Sequence, residues 1–444
     1  MTTLCIGNNR TEEMVGDLGG MTPLERLFAG CGAQRMLWFA REGDVLVLPW
    51  EPDPVYLGYV TALTGVRAES LTVVVPKPGA QGAEILTPDR LADPGFRDEL
   101  RRVLAGRPVE AVLAISPNAA VVELAQALGA ASAVPGHAFA AQGGNALVNS
   151  KAVFRALAAG AGVPIAPGTV AGSPQQVEAA VDDLLEQGHS VMVKVEYQAG
   201  GFGNEILVRD ERVSAAGAQR VVPLADRAAV AGYVAERWQW LTGGRGQRVV
   251  VERYFTGSVA LYAEFAITAQ GARLSGCGEM LMDPVVVGEI TPPITPDAAT
   301  LAELVDLAGR LCESLRVLGY RGTVSADAFR TPDGELYFSE TNGRLTGSTH
   351  LHDALFARLV GAEHRARRVI LELAGLAVPS FPAAIEAVRR AGLDFDPRTR
   401  TGVVFSCDFA VADGTVMYCV IAEDAERARA VERELVALFA APAR

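Results

Sequence analysis

The segment from Gly319 to Thr349, GYRGTVSADAFRTPDGELYFSETNGRLTGST, sets Asp327, Glu340, Asn342 and Arg344 around one predicted hairpin. Carboxylates crowded on one face repel unless a cation lies between them. Oxygen-only ligands suit magnesium, which keeps part of its water and takes its other ligands from phosphates. The spacing therefore points to Asp327, Glu340 and Asn342 as ligands of Mg2+ and to a nucleotide beside it, with an ordinary hairpin bearing solvated acids as the plain alternative. Thr331-Pro332-Asp333-Gly334 is turn chemistry, and Leu336-Tyr337-Phe338 begins the return strand. With Thr331 paired to Gly334, Asp327 stands opposite Phe338 and Ser325 opposite Glu340, so that Asp327, Glu340 and Asn342 share a face. A bulge at Gly334 is the alternative, and it slips the pairing by one and separates Asp327 from Glu340. The metal reading requires the first register.

Three upstream segments supply cations and backbone amides. Lys151 opens a helical stretch, KAVFRALAAGAG, where the helix dipole disfavours a cation; an anionic ligand would compensate, and a solvated lysine is the plain alternative. In VMVKVEYQAGGFGNEILV, Lys194 sits on an apolar strand before a loop holding Gly200, Gly201 and Gly203. Such a loop can lay backbone N–H groups over phosphates while the lysine reaches them as a point charge, and a lysine inside VMVKV needs a partner if buried. RVVVERYFTG carries an apolar strand to Glu252, Arg253, Tyr254 and Phe255, an end that can bond an adenine edge through its backbone and sandwich the ring.

These residues need a scaffold. A chain of 444 residues exceeds one hydrophobic core, and about two to four structural units are expected. Acids outnumber bases by 52 to 40, giving a net charge of -12, which argues against a phosphate-backbone surface and hence against nucleic acid as a partner. No apolar run approaches the roughly 20 residues that cross a bilayer, and MTTLCIGNNR is too short and too soon broken for a secretory signal. No membrane partner and a cytoplasmic location are the expectations. The six cysteines show no CxxC spacing and no zinc-site cluster. A two-residue Asp413-Gly414 loop would pair Asp408 with Cys419 and put Cys407 and Cys419 on opposite sheet faces, so no disulfide is drawn there.

Residues 1–145 alternate strand-like LCIG, MLWFA, VLVLPW, LTVVVP and VEAVLAIS with helical stretches, an open α/β sheet whose first strand ends in Gly7-Asn8-Asn9 and lacks GxGxxG. Substrate binding, packing or a homodimer contact is its expected role. PWEPDPVY reads as a Pro-rich structural lid with Trp50 and Tyr56 exposed or half exposed, and PGHAFAAQGGN as a connection. The expected fold is α/β and α+β multidomain: 1–145, a core over 146–378 divided at 250/251, and a small α+β appendage over 379–444 with a helix, a hairpin and a final helix.

In order, the helix-start lysine, the strand lysine before a Gly-rich loop, the ERYF hinge and the Asp followed by ExNxR resemble the ATP-grasp superfamily over roughly residues 150–375. The resemblance implies an ATP site between two α+β subdomains behind a pre-ATP-grasp-like N-terminal domain. Lys151, Lys194 and the glycines would contact phosphates, Glu252 to Phe255 adenine, and Asp327, Glu340 and Asn342 Mg2+. Lys194 and Arg344 would be the catalytic cations. The acid that family members commonly carry after the hinge for the ribose is missing from Thr256-Gly257-Ser258-Val259, which leaves Glu264 as a distant candidate. The IGNN start, the PWEPD loop and the hairpin-bearing tail resemble the small subgroup around the peptide ligase of pheganomycin biosynthesis. That likeness implies an ADP-forming carboxylate–amine ligase joining an acid to the amine of a peptide or amino acid, with Thr346-Gly347-Ser348-Thr349 on the amine side. A carboxylase of the same fold and a nucleotide-binding module without turnover are the competing expectations.

Overall fold

The computed structural model describes residues 2–209 and 213–440. Short apolar strands β1 (Thr2–Ile6), β2 (Val45–Val47), β3 (Thr72–Val74) and β4 (Val109–Ala114) form a parallel four-stranded sheet in the order β3-β2-β1-β4. Parallel strands are covered on both faces, which is why they read as continuous apolar runs. MLWFA is not one of them. It forms a helical turn over Gln34–Trp38 that buries Met36, Leu37 and Trp38. The expected connection at 135–145 is likewise partly helical, at His137–Ala141 and Gly144–Asn149.

A five-stranded sheet follows, β5 (Gly168–Ala171), β6 (Ser190–Val195), β7 (Asn204–Val208), β8 (Val221–Pro223) and β9 (Val249–Tyr254), in the order β5-β9-β6-β7-β8. The helices Pro174–Glu186 and Arg227–Leu241 cover its outer face, burying Val177, Val181, Val230 and Val234 against Val191, Val193 and Val251. The third sheet has eight strands: β10 (Val259–Ile267), β11 (Ala272–Met282), β12 (Val286–Thr291), β13 (Gly322–Arg330), β14 (Leu336–Asn342), β15 (Val369–Ala377), β16 (Gly402–Phe409) and β17 (Thr415–Ala422). They lie in the order β14-β13-β10-β11-β12-β15-β17-β16. Behind it runs the helix Ala298–Leu318, started by the Asp297 carboxylate accepting from Thr300 N at 2.8 Å and stopped at Gly319 with φ 112°. Its stripe of Leu304, Leu307, Ala308, Leu311 and Leu315 packs on Leu261, Phe265 and Val324.

The C-terminal helix–hairpin–helix segment is present, but its strands β16 and β17 are added to the eight-stranded sheet beside β15. It shares one core with the N-terminal unit, in which Trp38 and Tyr56 meet Phe381, Phe405 and Tyr418. Tyr56 is therefore buried, contrary to the lid reading: Asp53 caps the helix Pro54–Thr64, and the Tyr56 hydroxyl and Trp38 Nε1 both donate to Ser406 O, at 2.8 and 2.9 Å. Asp408 pairs with Val416 and Cys419 with Val404, because a helical turn at Ala410–Asp413 lengthens the connection; all six cysteines are free thiols. Among the described residues no helix is long and apolar enough to cross a membrane.

Candidate active site

A cleft of about 1290 Å³ lies between the five-stranded and the eight-stranded sheets and reaches the N-terminal unit. The hairpin of β13 and β14 forms one wall, in a register that neither simple reading anticipated. Thr331 N donates to Glu335 O and Gly334 adopts φ 92°, so the turn carries the Gly334 bulge and Ala328 pairs with Phe338. That slip alone would turn Glu340 away. A second irregularity, at Ser339, restores the face: Asp327 pairs with Glu340 and Ser325 with Asn342. The expected pairings of Asp327 with Phe338 and Ser325 with Glu340 are thus wrong, yet the three side chains converge because two one-residue bulges cancel in parity. Asn342 Nδ2 donates to Asp327 Oδ2 at 2.9 Å.

This trio fits a divalent cation. Burial and the neighbouring Glu340 hold the Asp327 carboxyl well above its usual range. Glu340 is half-buried, which raises its carboxyl, but Lys151, Lys194 and Arg344 outweigh that and keep it below its usual range. A shared deficit of positive charge between two carboxyls is what a metal ion relieves. Turning the Asn342 amide over would present Oδ1 to that ion.

Lys151 is not solvated. It is 4% exposed, and its Nζ lies 2.9 Å from Glu340 Oε2 and donates to Gln198 O in the glycine-rich loop. The anion that offsets the helix N-terminus is thus a protein carboxylate. Lys194 is also buried, and it pairs with Glu252. Glu252 takes a second cation, Arg155 Nη1 at 2.6 Å, so its carboxylate is committed within the protein and only its backbone is left for a base edge. Beyond it, Arg253 covers the Phe255 ring at 4.2 Å and Phe255 stacks on Tyr337 at 5.2 Å, with Phe329 at 5.8 Å. The loop holding Gly200 and Gly201, with φ 68° and 86°, folds onto β12: Val286 N donates to Gly200 O at 3.4 Å. Gly203 is not a cleft-lining residue; it packs on Val195 and Gln198.

Arg344 is 7% exposed and donates to Asn149 Oδ1 at 2.7 Å, leaving the rest of its fork toward the cleft. Glu264 is fully buried and accepts from Thr346 at 2.7 Å, Thr349 at 2.8 Å and Ser348 at 3.3 Å, so it cannot serve a ribose. It fixes the 346–349 loop, of which Thr346, Gly347 and Ser348 line the cleft.

Sequence reasoning passed over four lining residues. Arg10 and Arg35 come from the N-terminal unit and make no ion pair among the described residues. Burial, then Arg344 and Arg35, push the Arg10 guanidinium down to about 10. Glu289 and Glu372 face each other across β12 and β15. Each is an acid inside an apolar strand, VVVGEIT and VILELAG, the same signal that marked Lys194. Glu372 Oε1 accepts from His350, Ser406 and Cys419, and the side-chain polar atoms of His350, Glu372 and Cys419 lie within 4.8 Å of one another.

A pre ATP-grasp domain model matches residues 33–130, and a PGM1 C-terminal domain model matches residues 383–435. No curated protein matches the sequence. The structure is similar to a biotin carboxylase–βγ-ATP complex from Campylobacter jejuni, at TM-score 0.59 and 15% identity, covering 99% of this chain and 91% of that one. It is also similar to the ADP complex of N5-carboxyaminoimidazole ribonucleotide synthetase, at TM-score 0.57 and 15% identity over 98% and 96% of the two chains. An L-amino acid ligase from Bacillus licheniformis gives TM-score 0.54 and 12% identity over 98% and 96%. The fold is a mixed α/β multidomain one with an N-terminal region that matches the pre ATP-grasp domain model, a core folded like those solved structures and a small C-terminal domain.

Proposed function

We propose that the chain is an ATP-dependent ligase that converts a carboxylate to an acylphosphate and joins it to the amine of a peptide or amino acid, releasing ADP and phosphate. One observation carries this reading. The cleft gathers Asp327, Glu340 and Asn342 on one wall and Lys194 and a glycine-rich loop on the other, and its described lining has neither cysteine nor histidine. Without a thiolate or an imidazole-activated hydroxyl, a covalent acyl-enzyme has no obvious nucleophile, whereas phosphoryl transfer needs only position and charge.

In this reading Asp327, Glu340 and Asn342 would hold Mg2+, which supplies charge neutralisation for the phosphates. Lys194 and the amides of Gly200 and Gly201 stabilise the transferring phosphoryl, and Lys151 fixes Glu340 and the loop. Tyr254, Phe255 and Phe329, which line the cleft, border the adenine. Arg344 forks onto the carboxylate being activated. The loop closed onto β12 excludes water that would hydrolyse the acylphosphate. The IGNN start, the PWEPD loop and the hairpin-bearing tail support a place in peptide natural-product biosynthesis, akin to the pheganomycin peptide ligase. The likeness to a biotin carboxylase and to N5-carboxyaminoimidazole ribonucleotide synthetase supports a second reading, in which bicarbonate is the acid.

The test is a screen of carboxylic acids, bicarbonate included, with Mg-ATP and hydroxylamine. ADP, phosphate and an acid-dependent hydroxamate are expected. AMP and pyrophosphate would overturn the acylphosphate route, and turnover with bicarbonate alone would favour the carboxylase.

A further inference from the structure

Glu289 stands apart from the other buried acids of the cleft. It is 7% exposed and lines the cleft, and like Asp327 it has no pairing cation among the described residues, whereas Asp327 is held by hydrogen bonds from Ser325 and Asn342. Its acidic neighbours are committed elsewhere. Glu372 is held by His350, Ser406 and Cys419, and Glu264 by the hydroxyls of Thr346, Ser348 and Thr349; the Tyr262 hydroxyl is shared between His352 Nε2, at 3.1 Å, and Glu289. Sheet register places Glu289 relative to the metal-type acids. Glu340, Asp327, Tyr262 and Gly278 form one cross-strand row, and Met280, Glu289 and Glu372 belong to the row two residues along, on the same face. Three strand spacings separate β13 from β12, about 14 Å at the usual inter-strand distance. That interval has room for a phosphoryl group, an acyl carbon and an approaching nitrogen between the two carboxyls. Gly347, whose carbonyl receives Arg35 Nη1 at 3.4 Å, leaves the approach to Glu289 open: a Cβ there would lie 4.0 Å from Glu289 Oε1.

We propose that Glu289 is the subsite for the nucleophile, receiving a primary ammonium and taking a proton from it. This deepens the ligase reading and rests on it. Burial, then Glu372, hold the Glu289 carboxyl well above its usual range, with Glu264 adding to this and the Tyr262 hydroxyl and Arg35 opposing it. A bound ammonium supplies the positive charge that the pair lacks, so Glu289 sheds its proton to solvent as the cation enters. The step then balances. The ammonium gives one proton to Glu289 and becomes a neutral amine; its lone pair forms the C–N bond; the bond from acyl carbon to phosphate oxygen breaks and phosphate leaves with the electron pair. The second nitrogen proton goes to the departing phosphate. Any primary amine fits this chemistry, ammonia included, and an ether or alcohol does not.

The experiment compares two small nucleophiles on the full chain with Mg-ATP and an acid that yields hydroxamate. Hydroxylamine is mostly unprotonated at neutral pH and needs no base, whereas ammonium chloride is mostly protonated and does. Glu289→Gln is expected to keep hydroxamate formation within about twofold and to lose primary-amide formation from ammonium by at least ~10²-fold at neutral pH, the scale of one general base. The defect should shrink as pH rises toward the ammonium's own pKa, and Glu289→Asp should recover part of the activity. Unchanged amide formation, equal loss of both products, a defect independent of pH, or a wild type that makes hydroxamate but no amide from ammonium would each overturn the subsite. Absence of hydroxamate in the wild type would instead sink the acid-activation reading itself.

Discussion

Asp327 and Glu340 stand opposite each other only because the return strand is bulged twice, once at Gly334 and again at Ser339. Each bulge reverses which face the later residues present; together they restore it. The two irregularities thereby set two carboxyls side by side on one face.

Glu340→Gln keeps the shape of the pair and removes one charge. It also frees Lys151, whose ammonium lies 2.9 Å from Glu340. Mg-dependent ADP release should fall by at least ~10²-fold, the scale of one preorganised electrostatic element. Thermal stability should also fall, because Lys151, 4% exposed, keeps its charge and loses its carboxylate partner. A well-folded variant with ordinary Mg-dependent turnover would refute the role.

Glu252 bears two cations with different duties. Arg155 also donates to Ala166 O at 2.9 Å and does not line the cleft, whereas Lys194 does. Arg155→Met should therefore cost about 3 kcal/mol of unfolding free energy in urea, the low end for breaking a buried pair. Either variant leaves one cation on Glu252, but only Arg155→Met also strands the Ala166 carbonyl, so Lys194→Met should lose less stability and far more ADP release. The opposite ranking would assign the structural duty to Lys194.

The legible parts of the sequence were those where type and spacing act locally. Turn residues, caps and the convergence of Asp327, Glu340 and Asn342 could be read, and so could the strand lysine with its glycine loop. What escaped depends on distant partners. Nothing near MLWFA announces that Met36 and Trp38 pack on a C-terminal strand, since apolar alternation there suits either a strand or a tight helical turn. Lys151 looked like a ligand-facing or solvated cation because Glu340 lies far along the chain. The hairpin register failed for a local reason: a second bulge at Ser339 has no residue signature, and only the parity of the two acids betrays it. Glu289 and Glu372 were readable in principle, as acids within apolar strands.

Glu264 makes stability depend on pH. Burial raises its carboxyl from about 4.5 to about 7, against the opposing hydrogen bonds of the 346–349 loop. Between those values the unfolded chain has lost the proton that the folded chain retains, so the stabilisation is full below about pH 4.5 and is lost as pH rises through 7. The amount is on the order of 3 kcal/mol. Glu264→Gln, neutral throughout, should remove this slope, and urea unfolding of both proteins at several pH values between about 4 and 8 would show it. Parallel pH profiles would mean that Glu264 ionises freely in the fold.

The C-terminal segment should prove inseparable from the rest, despite its appearance in the sequence as an appendage. Removing residues 379–444 would strip β17 from β15 and expose a bare sheet edge. It would also take Phe381, Val403, Phe405, Tyr418 and Val420 from the core that holds Met36, Leu37, Trp38 and Tyr56. Each such side chain contributes ~1.5–3 kcal/mol by burial, so a handful exceeds the whole stability of an ordinary domain. Trp38 Nε1 and the Tyr56 hydroxyl would in addition lose Ser406 O, their common acceptor. The fragment 1–378 is expected to be insoluble, or expanded with exposed apolar surface and rapid proteolysis of its N-terminal unit as well as its new end. In the full chain the milder Tyr56→Phe should cost about 1 kcal/mol, because Trp38 still satisfies the carbonyl. A soluble 1–378 fragment with a cooperative unfolding transition like that of the full chain would show that the rest of the chain folds without its C-terminal domain.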